Sequence, residues 1–164
     1  PDACLTIFLY SRYDCSVCNE FFSKNYKLLK RDFIDKGNVK IVARFLTHTS
    51  KMNSLFATKS GYFAHSVGLF DAYMDDMTAQ FPSLDSGTIK SFFKAQETPF
   101  EDYENYVNDK SFENEIVKLA YDYRNAKILS TPTFYINNQP FVGNREYSQL
   151  KIIISNYLAD TDCR

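Results

Sequence analysis

The hydrophobic pattern changes period twice near the start of the chain. A short run of apolar and β-branched residues, Leu5–Tyr10, predicts a buried strand. After a polar turn, apolar residues recur every three or four positions and predict a helix that begins near Cys15 and ends at Gly37-Asn38. A second run rich in β-branched residues, Val39–Leu46, predicts another strand. This order predicts a parallel βαβ unit with a right-handed crossover.

The middle of the chain, residues 47–110, has a helical period. Its clearest apolar stripe predicts one helix from about Tyr62 to Phe81, with its inner face at Phe63, Val67, Phe70, Met74, Met77 and Phe81. Pro82 and Gly87 punctuate the pattern, and shorter helices are predicted at Thr88–Gln96 and Phe100–Val107. A longer helix is predicted over Ser111–Lys127, with Phe112, Ile116, Leu119 and Tyr123 on its inner face. We interpret these stripes as ordinary core.

The last part of the chain returns to strands. Thr133–Ile136 and Gln139–Val142 are short apolar runs separated by Asn137-Asn138, which indicates a hairpin because asparagine tolerates positive φ. Pro140 has no amide hydrogen to donate, so the second of these strands is predicted at a sheet edge. A final amphipathic helix is predicted over Glu146–Leu158, with a buried set of Leu150, Ile153, Ile154 and Tyr157.

Composition narrows the class of protein. The chain has 164 residues, of which 45% are hydrophobic and 24% charged, values typical of one globular domain with a real core. The net charge of −1 gives no indication of nucleic-acid binding. No apolar run approaches the roughly 18 residues that span a bilayer. No signal peptide is recognisable at Pro1, which fits a mature or trimmed chain as well as a cytosolic one.

The four cysteines are unevenly spaced. Cys15 and Cys18 are three positions apart at a strand-to-helix junction, whereas Cys4 and Cys163 lie near the ends. At a helix N-terminus, unpaired backbone N–H groups and the helix dipole favour a thiolate, so Cys15 is predicted to be the attacking nucleophile. Cys18, one turn further on the apolar face, is predicted to resolve the mixed disulfide. The alternative is a pair of buried thiols or half of a metal site.

These features resemble the DsbA-like branch of the thioredoxin superfamily. The resemblance rests on the two early strands, the Cys15-Ser16-Val17-Cys18 motif, the helical region and the loop Thr131-Pro132-Thr133-Phe134. It implies an α/β thioredoxin-like fold, a βαβ unit plus a ββα unit around a small central sheet. Residues 1–46 and 111–164 would form this domain, and residues 47–110 an inserted α-helical subdomain. It also implies that Pro132 is cis and that the Thr131 backbone pairs with a substrate peptide.

Two departures from the family affect the expected chemistry. Family members often carry Pro-His or Pro-Tyr between the cysteines, where this chain has Ser16-Val17. Val17 offers the thiolate no proton, positive charge or polar ring, and any positive potential from Arg12 is opposed by Asp14. We therefore expect a less oxidising couple than in strongly oxidising relatives. Relatives also place a buried acid where this chain has Leu9. Water or a backbone group must then serve the resolving thiol, or the resolving step is slow.

The resemblance has a consequence for the outer cysteines. In this fold the last helix runs back toward the start of the first strand, which would bring Cys163 close to Cys4. A structural disulfide between them is one interpretation, and two free terminal thiols are the other. A disulfide would favour an oxidising compartment.

The function that the resemblance implies is disulfide exchange with cysteine-containing, unfolded secreted proteins. We expect an oxidase of moderate oxidising power that is periplasmic or otherwise extracytoplasmic and monomeric. Its redox-active Cys15–Cys18 disulfide would need no other cofactor and no metal, and a DsbB-like membrane partner linked to quinones would reoxidise it. The alternatives are a reductase or isomerase, a non-catalytic, chaperone-like peptide-binding module, and a glutathione-transferase relative, which the intact cysteine pair disfavours.

Several polar residues carry no predicted chemistry. The histidines, His48 and His65, lack ligand spacing to any cysteine and are assigned surface or capping roles. An acidic run in the middle of the chain and a basic face on the first helix are both predicted to be solvated, and they comprise Asp71, Asp75, Asp76, Lys24, Lys27, Lys30 and Arg31.

Overall fold

A four-stranded sheet lies at the centre of the computed structural model, which describes residues 3–47 and 52–160. Its spatial order is β2-β1-β3-β4, and the strands are β1 (Leu5–Ser11), β2 (Val39–Phe45), β3 (Thr133–Ile136) and β4 (Gln139–Val142). β1 and β2 are parallel, whereas β3 is antiparallel to both β1 and β4. The predicted βαβ unit followed by a ββα unit is confirmed.

The helix that joins β1 to β2, α1, runs from Ser16 to Ile34. It is α-helical at Ser16–Glu20 and Lys27–Leu29 and π-helical at Phe21–Tyr26 and Lys30–Ile34. The wider π turns shift the buried face, because each holds more residues than an α turn. The spacing in the sequence predicts a buried face at Cys18, Phe22, Tyr26, Leu29 and Phe33. In the structure Phe21 and Asn25 are also buried, and Tyr26 is only partly buried.

The other helices follow β2 and β4 along the chain. Their bounds are α2 (Met52–Ser66), α3 (Phe70–Gln80), α4 (Ser86–Lys94), α5 (Phe100–Asn108), α6 (Lys110–Asn125) and α7 (Tyr147–Ala159). The single helix predicted over Tyr62–Phe81 is wrong. Gly68 has φ +76°, and the Leu69 amide bonds back to the Ala64 carbonyl at 2.7 Å, which ends α2 in a left-handed cap. Val67 of the predicted stripe is consequently exposed.

Two smaller expectations for the helical region also fail. Gly87 does not interrupt the pattern but lies in the first turn of α4, where the Asp85 carboxylate accepts its amide hydrogen at 2.7 Å. Leu119 is exposed although it was predicted on the inner face of α6. That helix is held near its ends by ring contacts of Phe112 with Tyr62 and of Tyr123 with Tyr10, and Leu119 lies between these two positions along the helix.

The C-terminal hairpin agrees with its prediction. Asn137 and Asn138 have φ values of 48° and 62°, and Pro140 lies on the edge strand β4. Residues 52–108 separate β2 from α6 in sequence, as an insertion would, but the division into a domain and a subdomain stays a prediction. Within the described ranges, no helix combines the length and the apolar character needed to cross a membrane.

The basic face of α1 and the acidic run of α3 meet each other, which corrects the prediction that each is merely solvated. Lys27 Nζ lies 2.8 Å from an Asp75 carboxylate oxygen, and Lys30 Nζ lies 3.6 Å from Asp71. The Tyr26 hydroxyl donates to Asp71 at 3.0 Å. These pairs join α1 to the helical region, and their side chains stay partly exposed. The imidazole of His65 packs against the ring of Phe70, and His48 lies outside the described residues.

Candidate active site

Cys15 occupies the N-cap of α1. Its backbone is extended, with φ −113° and ψ 116°, and its Sγ accepts the backbone N–H of Cys18 at 3.2 Å. This amide belongs to the first helical turn and has no carbonyl partner within the helix, so it donates to the sulfur and favours a negative charge there. The side chain is partly exposed, so it is accessible to an incoming thiol or disulfide.

Cys18 lies directly beneath it and is completely buried. Its Sγ is 2.6 Å from Cys15 Sγ, and the two sulfurs are near each other but not bonded. Burial, followed by the hydrogen bond with Cys15, raises the pKa of the Cys18 thiol to about 11, while the Ser11 hydroxyl opposes this rise. The buried sulfur is therefore a protonated thiol at neutral pH.

The loop before β3 closes over the cysteine pair. The peptide bond between Thr131 and Pro132 is cis, and Pro132 is fully buried. The Cys15 thiol donates to the Thr131 carbonyl oxygen at 3.5 Å. The loop is fixed by the Gly143 amide, which donates to the Pro132 carbonyl at 2.8 Å. The structure thus brings together the four residues to which the sequence assigned roles, and those roles stay predictions.

A family model described as thioredoxin matches residues 1–156. The chain belongs to the thioredoxin family. Disulfide bond formation protein D of Bacillus subtilis is 25% identical over 167 aligned residues, which cover 96% of this chain and 74% of that protein.

Solved structures have the same fold. BdbD of Bacillus subtilis in its oxidised form superposes with a TM-score of 0.81 at 22% identity, covering 96% of this chain and 89% of that chain. Wolbachia pipientis alpha-DsbA1 gives 0.84 at 16% identity, covering 98% and 88%. The resemblance to the DsbA-like branch is confirmed, and the chain is a DsbA-like protein disulfide oxidoreductase.

Within this family fold, the two departures are visible in the structure. Ser16 and Val17 face solvent, and Val17 is 42% exposed. Leu9 is completely buried and lies opposite Phe134 on β3, so no carboxylate is present at that position. Arg12 Nε lies 3.0 Å from an Asp14 carboxylate oxygen, which offsets its positive charge close to the cysteine pair.

Sequence reasoning missed one residue of the site, Ser11. It is completely buried at the end of β1, and its hydroxyl has no hydrogen-bond partner among the described residues. The signal was the alternation of β1, in which Leu5, Ile7 and Leu9 face inward and the next inward position is Ser11. The strand was predicted to end at Tyr10, one residue too early for this inference.

Sequence reasoning also missed a groove beside the Thr131 loop. It has a volume of about 300 Å³, and its walls include Arg12, Tyr121, Arg124, Leu129 and Thr131. Leu129 is 75% exposed and Tyr121 is 56% exposed, so the groove offers apolar surface beside the loop whose Thr131 carbonyl contacts Cys15. Leu129 directly precedes Ser130-Thr131-Pro132, and an apolar residue at that place was the available signal.

The structure describes only one of the two outer cysteines. Cys4 is disulfide-bonded. Cys163 lies outside the described residues, so its pairing with Cys4 stays a prediction. Within the described ranges, no three metal-ligating side chains lie together.

Proposed function

We propose that the protein oxidises thiols in cysteine-containing, unfolded secreted proteins and that its oxidising power is moderate. The observation that carries this proposal is the arrangement of the two sulfurs. Cys15 is accessible at a helix N-terminus and contacts the Thr131 carbonyl, whereas Cys18 is buried directly behind it. This arrangement gives the two thiols different roles in disulfide exchange.

The reaction starts from the oxidised Cys15–Cys18 disulfide. A substrate thiolate attacks Cys15 Sγ and forms a mixed disulfide between the substrate sulfur and Cys15. The Cys15–Cys18 bond breaks at the same time and releases a Cys18 thiolate, which takes up a proton. A second substrate thiolate then attacks the substrate sulfur of the mixed disulfide. This step releases reduced Cys15 and leaves the substrate oxidised by two electrons, with no cofactor other than the cysteine pair.

The environment of Cys18 supports a moderate rather than a strong oxidant. Because the pKa of the Cys18 thiol is raised to about 11, its thiolate is a poor leaving group when a substrate attacks the disulfide. A strongly oxidising pair needs a stabilised reduced form, and Val17, Leu9 and the Arg12–Asp14 ion pair supply little such stabilisation.

Substrate binding would use the Thr131 loop and the adjoining groove. In this proposal the Thr131 backbone pairs with an extended peptide, and cis-Pro132 keeps that backbone against the sulfurs. An apolar side chain next to the substrate cysteine would lie against Leu129 and Tyr121, which are exposed. Unfolded chains present such side chains, whereas folded proteins bury them.

The setting of this reaction follows from the family resemblance. A DsbB-like membrane protein linked to quinones would reoxidise the cysteine pair, and the protein would act as a monomer in the periplasm or another extracytoplasmic compartment. The name of the Bacillus subtilis relative, disulfide bond formation protein D, agrees with a role in making disulfides.

The test measures disulfide formation in a reduced, unfolded substrate protein and the equilibrium of the cysteine pair with glutathione. We expect the oxidised protein to transfer one disulfide per molecule, and Cys15→Ser, which replaces only the sulfur, to transfer none. Cys18→Ser is the matched control: when it is given oxidised glutathione, Cys15 attacks that disulfide and releases one glutathione thiolate, and we expect the resulting Cys15–glutathione mixed disulfide to accumulate because no second thiol resolves it. A Cys15–Cys18 disulfide that glutathione barely reduces at equilibrium would instead indicate a reductase. A wild-type pair that exchanges with neither glutathione nor the substrate would indicate a non-catalytic peptide-binding module.

A further inference from the structure

Ser11 contributes a buried hydroxyl to the underside of the cysteine pair. The side chain is 0% exposed, and its Oγ accepts or donates no hydrogen bond among the described residues. Burying an unpaired hydroxyl is costly, so most buried hydroxyls are paired. The Ser11 hydroxyl is therefore free to donate to a group that becomes charged nearby.

The pleat of β1 directs this hydroxyl toward α1. Leu9 and Ser11 are two positions apart, so their side chains face the same side of the sheet. Phe134 lies opposite Leu9 on β3, and its ring centroid is 4.9 Å from that of Phe21 on α1. The side of the sheet that α1 covers is therefore the side on which Ser11 lies, beneath the turn that carries Cys18.

The reaction creates a buried negative charge at that turn. When Cys18 resolves a mixed disulfide, its thiol first loses its proton, and the resulting thiolate attacks Cys15 Sγ. The bond from Cys15 to the partner sulfur breaks, and the departing thiolate takes up a proton from solvent. A buried thiolate is costly unless a hydrogen-bond donor is present, and Leu9 can neither donate nor accept a hydrogen bond.

We propose that the Ser11 hydroxyl donates a hydrogen bond to the Cys18 thiolate and thereby accelerates the resolving step. This inference rests on the proposed function, since it concerns the second half of the same exchange. The hydroxyl does not remove the proton; it stabilises the charge that remains. It is therefore a different solution from the buried carboxylate of relatives, which accepts a proton.

Other observations agree with this role. The Ser11 side chain lowers the pKa of the Cys18 thiol against the effect of burial, and the Thr131 side chain and the Arg12 backbone act in the same direction. Because three groups share the task, removal of one should slow the step without abolishing it. A hydrogen bond to a charged group typically changes an equilibrium by about tenfold or more.

The experiment separates the two halves of the exchange with an aromatic disulfide, 5,5′-dithiobis(2-nitrobenzoate). Attack of Cys15 on this probe releases one coloured thiolate at a rate proportional to probe concentration. Attack of Cys18 on the mixed disulfide releases a second at a rate independent of that concentration. Cys18→Ala, which retains only the first phase, assigns the two.

We expect Ser11→Ala to slow the second phase about tenfold and to leave the first phase within twofold of wild type. An unchanged second phase, or equal slowing of both phases, would overturn the proposal. Ser60→Ala is the control for loss of a buried serine, because Ser60 lies on α2 and its hydroxyl bonds Tyr103 in the helical region at 2.9 Å. It should change neither phase.

A second pair of variants decides the question if Ser11→Ala does not fold. Ser11→Thr and Ser11→Val add the same volume and differ only in the hydroxyl. A faster second phase in the threonine variant supports the proposal, and equal rates overturn it. If wild type shows no second phase, the proposed function itself fails, whereas a second phase whose rate is the same in wild type and in every Ser11 variant contradicts this inference alone.

Discussion

Buried polar groups are treated differently in the helical region and around the cysteine pair. In the helical region they are paired, through Tyr73 to the Ala57 carbonyl at 2.9 Å, Ser60 to Tyr103 at 2.9 Å and Lys59 to the Asp109 carbonyl at 3.0 Å. Beside the cysteines, the Ser11 hydroxyl is buried without a partner, and so is the hydroxyl of Tyr13, whose ring reaches from the Cys15 loop to α2. Among the described residues only Gln80 Oε1 shares this condition. Paired groups stabilise a packed scaffold, whereas unpaired groups concentrate where chemistry takes place.

The two regions touch where Tyr13 packs against α2. Its ring stacks on Phe45 with centroids 4.3 Å apart and meets the edge of Tyr73. Its hydroxyl faces Gly61, where an added Cβ would overlap the hydroxyl and lie 2.8 Å from Cζ. Only glycine permits this approach, so a single methyl group should separate the active-site loop from the scaffold.

Gly61→Ala should therefore have the largest effect of the changes considered for stability. Because Phe45 and Tyr73 hold the Tyr13 ring on both sides, we expect a loss of about 3 kcal/mol in the free energy of unfolding. Denaturant unfolding measures it. Tyr13→Phe in the same background removes the atom in closest conflict and should restore part of the loss. If Gly61→Ala unfolds like wild type, the contact between the two regions is not as close as described.

The second-largest expected effect is the change in the free energy of unfolding when Cys18, in the active-site region, titrates. The pKa of this thiol is raised from 9.0 to about 11 by burial, so the folded state keeps a proton that the unfolded state loses over that interval. The stability that Cys18 contributes is fully present below pH 9 and is lost as the pH rises through 11. Two pKa units correspond to about 3 kcal/mol at most.

Two reduced single-cysteine variants isolate this titration. Cys15→Ala retains Cys18 and should lose more unfolding free energy between pH 8 and 11 than Cys18→Ala, which lacks the buried thiol. Buried tyrosines titrate in both variants and cancel in the difference. Equal losses would show that the unfolded and folded states bind the Cys18 proton alike.

Most of the fold could be predicted from local sequence patterns. Alternation identified β1, β2 and the hairpin, and Pro140 and the two asparagines set the edge and the turn, because each acts through its own backbone. The helix break at Gly68 was missed because an apolar residue, Val67, continued the stripe through a glycine that adopts positive φ. The π turns of α1 were equally invisible, since their spacing depends on what packs against the helix.

The candidate site was predicted in part for the same reason. The Cys15-x-x-Cys18 spacing and Thr131-Pro132 are short motifs that can be recognised in the sequence without knowledge of the tertiary structure. Ser11 was not found, because its importance comes from a partnerless hydroxyl beneath another element, and no sequence pattern states which buried serine lacks a partner. The groove with Leu129 depends likewise on how α6 stands beside the Thr131 loop.

Two buried tyrosines test the contrast between paired and unpaired hydroxyls directly. Tyr73→Phe removes a hydroxyl that donates to the Ala57 carbonyl, so we expect it to cost about 1 kcal/mol. Tyr13→Phe removes a buried hydroxyl with no partner, so its unfolding free energy should be unchanged or higher. Chemical denaturation of both variants gives the two values. A larger loss for Tyr13→Phe than for Tyr73→Phe would break the contrast between the two regions.

The smallest expected effect concerns the charges that join α1 to α3. Lys27 and Asp75 lie 2.8 Å apart, but their side chains are 56% and 59% exposed, so solvent weakens their attraction. Lys27→Ala should cost at most about 0.5 kcal/mol, and the cost should vanish in high salt. Lys118→Ala, which removes a comparable exposed pair with Asp122 within α6, is the control. A loss above 1 kcal/mol at low salt that disappears in high salt would mean that charge, rather than the packing of Tyr13 against Gly61, holds the active-site helix to the scaffold.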